Sequence, residues 1–430
     1  MIKRLVAFAL LALVGLAGLV VALNFRDEGA SDAAADAAVA TRSPAASIAR
    51  GEYLTRAGNC IGCHTAQGGV PYAGGRGIDT PFGTVFAPNL TPDPQTGIGL
   101  WSSADFWRAL HNGRSRDGRL LYPAFPYPNY TRVVRADADA LYAYLRNLPP
   151  IAQANPSHTL AFPFNLQASL AIWRALYFRP ASYTPDATRS AAWNRGAYLV
   201  EGLGHCNACH SSRNALGAST GPLDLAGGLI PVQNWYAPSL TALDEASVVD
   251  WEPRHVIDLL KTGVSERGSV MGPMTDVVRN GTQYLTAADL AAMTNFLQAL
   301  PETPARRAKD DAGVPAAADA RARGARLYET HCLACHGEQG AGVPGAYPAL
   351  AGSRAVTMAT PANLVHIVLE GGFAPSTAGN PRPFGMPPFA TTLSNDDVAD
   401  LLSHIRNAWG NNGGGVSALA VSRYRSAARP

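Results

Sequence analysis

All six cysteines of this 430-residue chain fall into three copies of one pattern. They are Cys60-Ile61-Gly62-Cys63-His64, Cys206-Asn207-Ala208-Cys209-His210 and Cys332-Leu333-Ala334-Cys335-His336. Two thiols on one helical turn can add to the two vinyl groups of one porphyrin. The next residue can then swing its imidazole under the iron, so C-x-x-C-H reads as an attachment site for c-type haem. Rival uses of paired cysteines fit less well. A thioredoxin-like motif needs no histidine after each pair, and a zinc site wants two pairs close together or a cysteine pair with a histidine pair. A disulfide closed within C-x-x-C is strained. The sequence therefore predicts three covalently bound haem c groups on Cys60, Cys63, Cys206, Cys209, Cys332 and Cys335, with His64, His210 and His336 as proximal iron ligands.

Residues 1–23 read as a targeting segment. Lys3 and Arg4 precede an uncharged apolar run from Leu5 to Leu23. That run lies within the roughly 17–25 residues of a spanning helix and exceeds the about 7–15 of a signal-peptide core. Basic residues before the run stay in the cytoplasm, so the rest of the chain is expected on the periplasmic side of the inner membrane. An uncleaved anchor is the preferred reading; a cleaved signal peptide is the rival, because small residues follow the run. The net charge of +3 is small, and no basic stripe points to nucleic acid.

The rest of the chain repeats. Residues 24–46 read as a flexible tether, followed by repeat units at 47–150, 191–300 and 321–410. Linkers at 151–190 and 301–320 join them, the first with a short helix at Ala168–Tyr177, and a tail follows at 411–430. Each unit opens with a glycine-bearing helix: Gly51-Glu52-Tyr53-Leu54, Gly196-Ala197-Tyr198-Leu199 and Gly324-Ala325-Arg326-Leu327. Each closes with a helix of three- and four-residue apolar spacing. These closing helices run from Ala138, from Ala287 and from Asn395, with Thr286 and Ser394 as N-caps in the last two. After each motif histidine comes a Pro-x-Leu: Pro88-Asn89-Leu90, Pro238-Ser239-Leu240 and Pro348-Ala349-Leu350. A first helix crossing a last helix at a glycine resembles the plan of class I cytochrome c. The expected fold is mainly α: three class I cytochrome c-like domains in tandem, preceded by one N-terminal membrane helix. The resemblance also implies that each proline carbonyl accepts a hydrogen bond from the proximal histidine, fixing its ring.

The far face of each iron decides what a haem can do, and a thioether there raises the potential. Six methionines make assignment tight. Met386 stands shortly before the last closing helix, where class I cytochromes carry their ligand. In the second unit Met274, in Gly272-Pro273-Met274, is preferred to Met271. Met293 and Met358 read as packing. The first unit has Phe125 at the ligand position. His111, at the end of the helix that would line the distal face, is the leading candidate there. His158 and an open iron are the alternatives, and a helix-terminal histidine stabilised by the dipole is the bland reading of His111. Bis-histidine ligation would give one low-potential haem. His205 and His331 are expected exposed at a haem edge, and His255, His366 and His404 at the surface or in packing.

The sequence resembles the triheme cytochrome c subunits of bacterial membrane-bound dehydrogenases, such as those acting on alcohols, gluconate, sorbitol and aldehydes. The resemblance is carried by Thr80-Pro81-Phe82-Gly83, Asn89-Leu90-Thr91-Pro92-Asp93, Leu121-Tyr122-Pro123-Ala124, Trp193-Asn194-Arg195-Gly196-Ala197-Tyr198, Gly272-Pro273-Met274, Gln283-Tyr284-Leu285-Thr286 and Ile405-Arg406-Asn407. Phe125 departs from it, since the family has methionine there. The resemblance implies an electron-transfer subunit rather than an enzyme. It would take electrons from a catalytic dehydrogenase subunit and pass them to ubiquinone or a terminal oxidase. No dinucleotide fingerprint follows a strand, so substrate chemistry belongs to another chain. Two other functions stay open: a free-standing carrier, and a small-ligand-binding enzyme using an open first haem.

Overall fold

The computed structural model describes residues 1–26, 43–219, 221, 224–304 and 317–427. Most of the expected tether over 24–46 and of the linker over 301–320 lies outside the described residues. The chain forms two compact units. The first comprises Met1–Pro185 with Glu201–His205 and Asn214–Ala218; the second comprises Asp186–Val200, Cys206–Arg213 and Ser219–Pro430.

The first unit begins with α1 (Ile2–Asn24). Its side chains are exposed from Met1 to Leu19, and its mean hydropathy of 2.8 makes it long and apolar enough to cross a membrane. α2 (Pro44–Ala57) starts at Ser43, whose hydroxyl accepts from the Ala46 amide, with proline at the first helical position. The single turn α3 (Cys60–Cys63) carries the first cysteine pair. A hairpin of β1 (Gly77–Thr80) and β2 (Gly83–Phe86) is extended by β3 (Thr159–Leu160), all antiparallel. α4 (Ser103–Asn112) opens with a reciprocal Ser102–Asp105 capping box and stops at Gly113, φ 57°. The short α5 (Tyr127–Tyr130) leads to α6 (Arg135–Arg146). This closing helix starts three residues before the expected Ala138. It has no side-chain cap; the buried Asp137 in its first turn is instead paired with Arg50 of α2 at 2.5 Å. The expected linker helix is α7 (Gln167–Tyr177).

The second unit holds the segments of the second and third motifs. α8 (Ala191–Ala197) runs on as a π-helical turn. α9 (Pro253–Thr262), α10 (Pro273–Asn280) and α11 (Ala287–Gln298) follow. α12 (Ala318–His331), the turn α13 (Leu333–His336), α14 (Arg354–Thr357), α15 (Ala362–Glu370) and α16 (Asn395–Ile405) build the last segment. The expected caps are present: Thr286 accepts from the Asp289 amide, and Ser394 forms a capping box with Asp397. The tail is helical as α17 (Ala418–Ala427). Its Val421 joins Val365, Leu369, Val398 and Leu402 in one core. Within this unit the Trp235 ring stacks on His366 at 4.9 Å. Tyr236 and Asn363 exchange two hydrogen bonds of 2.8 Å.

The same crossing occurs three times. A Cβ on Gly51 would lie 1.9 Å from the Ala140 carbonyl oxygen, one on Gly196 2.1 Å from that of Ala292, and one on Gly324 2.1 Å from that of Asp400. Only a residue without Cβ lets α2 meet α6, α8 meet α11 and α12 meet α16 so closely. Each crossing packs the helix that precedes a cysteine motif against a closing helix.

Candidate haem-attachment sites

The sites follow from what comes after each opening helix. In each case the chain makes one turn carrying the cysteine pair. That turn is α-helical at Cys60–Cys63 and at Leu333–His336, and a 3-10 turn at Cys206–Ala208. No disulfide joins any of the six cysteines. Burial pushes the Cys60 and Cys206 thiols up to about 12 and Cys332 up to about 11, each helped by its partner cysteine. Among the described residues no cluster of three His, Cys, Asp or Glu side chains is placed to hold a metal ion.

The motif histidines share one arrangement. The His64 Nδ1 lies 2.8 Å from the Pro88 carbonyl oxygen, the His210 Nδ1 2.6 Å from that of Pro238, and the His336 Nδ1 3.1 Å from that of Pro348. Burial lowers the pKa of all three rings against the opposing pull of the proline carbonyl. A neutral imidazole donating from Nδ1 presents Nε2 as its lone-pair atom, the state a metal-ligating histidine needs. The three prolines come 24, 28 and 12 residues after their histidines, so the shared bond is made by folds of unequal loop length.

Two arginines at these turns escape a reading of the sequence. Arg76 donates to the Gly62 carbonyl at 2.5 Å, and Arg213 donates to the Ala208 carbonyl. Both carbonyls belong to the residue before the second cysteine of a motif. The arginines stand at different distances from their motifs, so no pattern marks them in advance.

The buried indole Nε1 of Trp251 has no hydrogen-bond partner within the chain. A buried donor left unsatisfied costs about 1–3 kcal/mol. It is therefore suited to an acceptor supplied from outside the polypeptide, such as a porphyrin propionate. Together with the paired cysteines and the oriented imidazoles, it fits haem c.

The structure also places the distal candidates. Met386 sits in β5 (Gly385–Met386), paired to β4 (Gly372–Phe373), and packs on the core of the last segment. Met274 is the second residue of α10, half-buried. The Met271 methyl is directed instead toward Gly372, 3.4 Å from the position of a Cβ there. Met293 and Met358 are buried core residues. Phe125 is half-buried and packs on Tyr130 at 5.3 Å. The Tyr130 hydroxyl group is held well above its ordinary pKa by burial and by Cys60 and Cys63 nearby, which brings Phe125 to the neighbourhood of the first cysteine pair.

His111 is buried near the end of α4. Its Nδ1 lies 2.9 Å from the Thr131 carbonyl, and its ring stacks on Trp107 at 4.5 Å. Lys261 has the same penultimate place in α9 and reaches the Leu285 carbonyl at 2.9 Å, so both tie the middle helix to the residues before a closing helix. His158 is exposed, and its Nδ1 accepts from the Phe86 amide at 3.1 Å. His205 and His331, expected exposed, are half-buried. Their rings meet Tyr130 at 5.5 Å and Phe389 at 5.6 Å. His255 and His366 are buried packing residues.

Cysteine turns, proline-bound histidines and glycine crossings define a c-type cytochrome, and the comparisons agree. The cytochrome c family profile matches residues 48–149 and 321–409. The chain is 37% identical over 398 residues to the cytochrome c subunit of alcohol dehydrogenase (quinone) from Gluconacetobacter polyoxogenes, covering 89% of this chain and 85% of that one. It is 38% identical over 383 residues to the gluconate 2-dehydrogenase cytochrome c subunit of Pantoea cypripedii, covering 85% and 86%. It is 42% identical over 390 residues to a nicotinate dehydrogenase subunit of Pseudomonas putida, covering 90% of this chain but spanning only 32% of that longer protein. The chain belongs to the family of dehydrogenase cytochrome c subunits. It is an electron-transfer subunit carrying covalently bound haem c, not a catalytic subunit.

Proposed function

We propose that the chain is a triheme cytochrome c. It would take electrons from a dehydrogenase subunit on the periplasmic side of the inner membrane and pass them to ubiquinone or a terminal oxidase. The observation that carries this is the threefold bond between a motif histidine and a proline carbonyl, at 2.8, 2.6 and 3.1 Å. Bound haem c supplies a one-electron iron couple. The chain's own part is to fix each imidazole, hold each cysteine pair on one turn and shield the site from water. Cys60, Cys63, Cys206, Cys209, Cys332 and Cys335 are the attachment residues, and His64, His210 and His336 the proximal ligands. Met274 and Met386 are proposed as distal ligands. The three class I-like domains are those bounded at 47–150, 191–300 and 321–410.

For the first haem we propose His111 as sixth ligand: its Nδ1 is held by Thr131, so coordination would fall to Nε2. A specific observation favours a second reading. Lys261 makes the matching tether without being a ligand, and Phe125 packs toward the first cysteine pair. On that reading the first iron is open, and the reduced protein binds carbon monoxide.

The proposal is tested by haem stoichiometry. The purified chain should carry three haems, and Cys63→Ala, Cys209→Ala and Cys335→Ala should each retain only two fully bonded ones by peptide mass. A wild-type content of two would sink the triheme reading. Co-purification with a large dehydrogenase subunit separates the complex from a free-standing carrier.

A further inference from the structure

Twenty consecutive residues, Thr159–Phe178, contain a single charged side chain, Arg174. That side chain is turned inward and is 3% exposed. The helix in this stretch, α7, is seated through Leu170 and Arg174, the residues it buries. Its other side carries Ala168, Ile172 and Leu176 at four-residue intervals, all exposed, with Tyr177 beside them and Phe162 and Leu166 in the turn before. Phe162 is 78% exposed, Leu176 62% and Ile172 52%. An outer helix face of a globular protein ordinarily carries charge and polar groups. After Gln167 at its start, the exposed residues of this helix are all apolar or aromatic, and a contiguous apolar surface marks a contact.

The position of α7 says what the contact is. It packs on the last turn of α1: Asn24 donates from Nδ2 to the Ala171 carbonyl at 2.9 Å and accepts from Arg174 Nε at 2.8 Å. A 23-residue helix is about 35 Å long, slightly more than the roughly 30 Å hydrocarbon core. The final turn of a spanning α1 therefore lies at headgroup depth, and α7 lies there with it. Phenyl and phenol rings with aliphatic side chains suit that zone, where an amphipathic helix buries its apolar face in the plane of the interface.

We propose that α7 and the Phe162–Leu166 turn form a second, monotopic contact with the lipid bilayer, lying in the interface beside the spanning α1. The anchor and α7 then fix the first unit at two points, and its tilt on the membrane is set by protein structure. This rests on the reading of α1 as a retained membrane helix.

The test is lipid photolabelling of the full-length, haem-loaded chain. It is reconstituted in vesicles of phosphatidylethanolamine and phosphatidylglycerol containing a diazirine-bearing phospholipid, and labelled peptides are mapped by mass. Label is expected on the 2–24 peptide and on the 159–178 peptide. In an Ile172→Asp, Leu176→Asp double variant the second signal should fall about 5-fold or more while the first persists, as expected for a face held by apolar area. Label on 2–24 alone in the wild type overturns the proposal, while label on neither overturns the anchor reading beneath it. Loss of the 159–178 label when the chain is reconstituted as the complex isolated with its dehydrogenase subunit would make the face a protein interface, and also overturns the proposal.

Discussion

Arg174 donates from Nε to the side-chain oxygen of Asn24 at 2.8 Å, across 150 residues of sequence. Its other nitrogens donate to the carbonyls of Asn112 at 2.7 Å and Gly113 at 3.2 Å. The guanidinium also lies over the Tyr127 and Phe178 rings. Asn24 is itself buried, and its backbone carbonyl accepts from Arg114. The last residue of the apolar helix is thus part of the polar core of the first unit. A chain lacking α1 would leave the buried Arg174 without one of its acceptors.

Two outcomes are expected from this contact. Intact mass of the mature protein should include Met1–Asn24. Asn24→Ala should destabilise the first unit by about 1–3 kcal/mol, the range for a hydrogen bond to a buried charged group. Thermal unfolding in detergent reads the second outcome. A mature N-terminus beyond residue 24 would refute the first.

The helix crossings predict a size effect. Gly196→Ala would place a methyl group 2.1 Å from the Ala292 carbonyl oxygen and 2.7 Å from the Phe296 Cβ. Backbone cannot move aside as a flexible side chain can, so the helices must separate, at about 1–3 kcal/mol or more. Gly268→Ala, where nothing lies within 4 Å of a new Cβ, should change stability by less than about 0.5 kcal/mol. Urea unfolding of the two variants compares them directly, and equal midpoints would refute the crossing argument.

The crossings and the histidine–proline bonds were legible because each leaves a local mark that recurs: a glycine before the motif, a Pro-x-Leu after it. Helix starts with polar caps were legible too, as at Ser394 and Thr286. The start of α6 was missed because it has no cap, and its first turn is fixed by Arg50 from another helix. The burial of His205 and His331 depends on Tyr130 and Phe389, which lie far from them in sequence. Arg174 reads locally as the polar residue of an amphipathic linker helix. Its inward direction is decided by Asn24, which lies 150 residues earlier.

Glu245 predicts a pH dependence in the second unit. It is buried, accepts from the Tyr236 hydroxyl at 3.0 Å and accepts from the Ser239 amide at 2.5 Å. Burial raises its pKa above the ordinary 4.5, outweighing the hydrogen bonds from Ser239 and Tyr236. The folded state then holds this proton to higher pH than the unfolded state does. Its contribution to stability is full below pH 4.5 and is lost as pH rises through the raised value, at up to about 1.4 kcal/mol per pH unit. Glu245→Gln should remove that part of the slope in thermal melts taken across the window. An unchanged slope would assign the dependence to another group.

The second distal ligand is decided by two neighbouring methionines. Met274 is the second residue of α10, after Gly272, whose φ of 57° turns the chain sharply into the helix, whereas the Met271 methyl is directed toward Gly372. Met274→Ala should abolish one of the histidine–methionine signals in the near-infrared magnetic circular dichroism spectrum of the oxidised protein. It should also lower one haem potential, because a thioether ligand raises it. Met271→Ala should leave both unchanged and cost only packing. The reverse pattern would move the ligand to Met271 and require its side chain to turn away from Gly372 when haem is bound. In the same spectrum a bis-histidine signal from the first haem would support His111, since Phe125 has no lone pair to offer iron. A high-spin signal would mean that His111 only tethers α4, as Lys261 tethers α9, and that the first iron is open to small ligands.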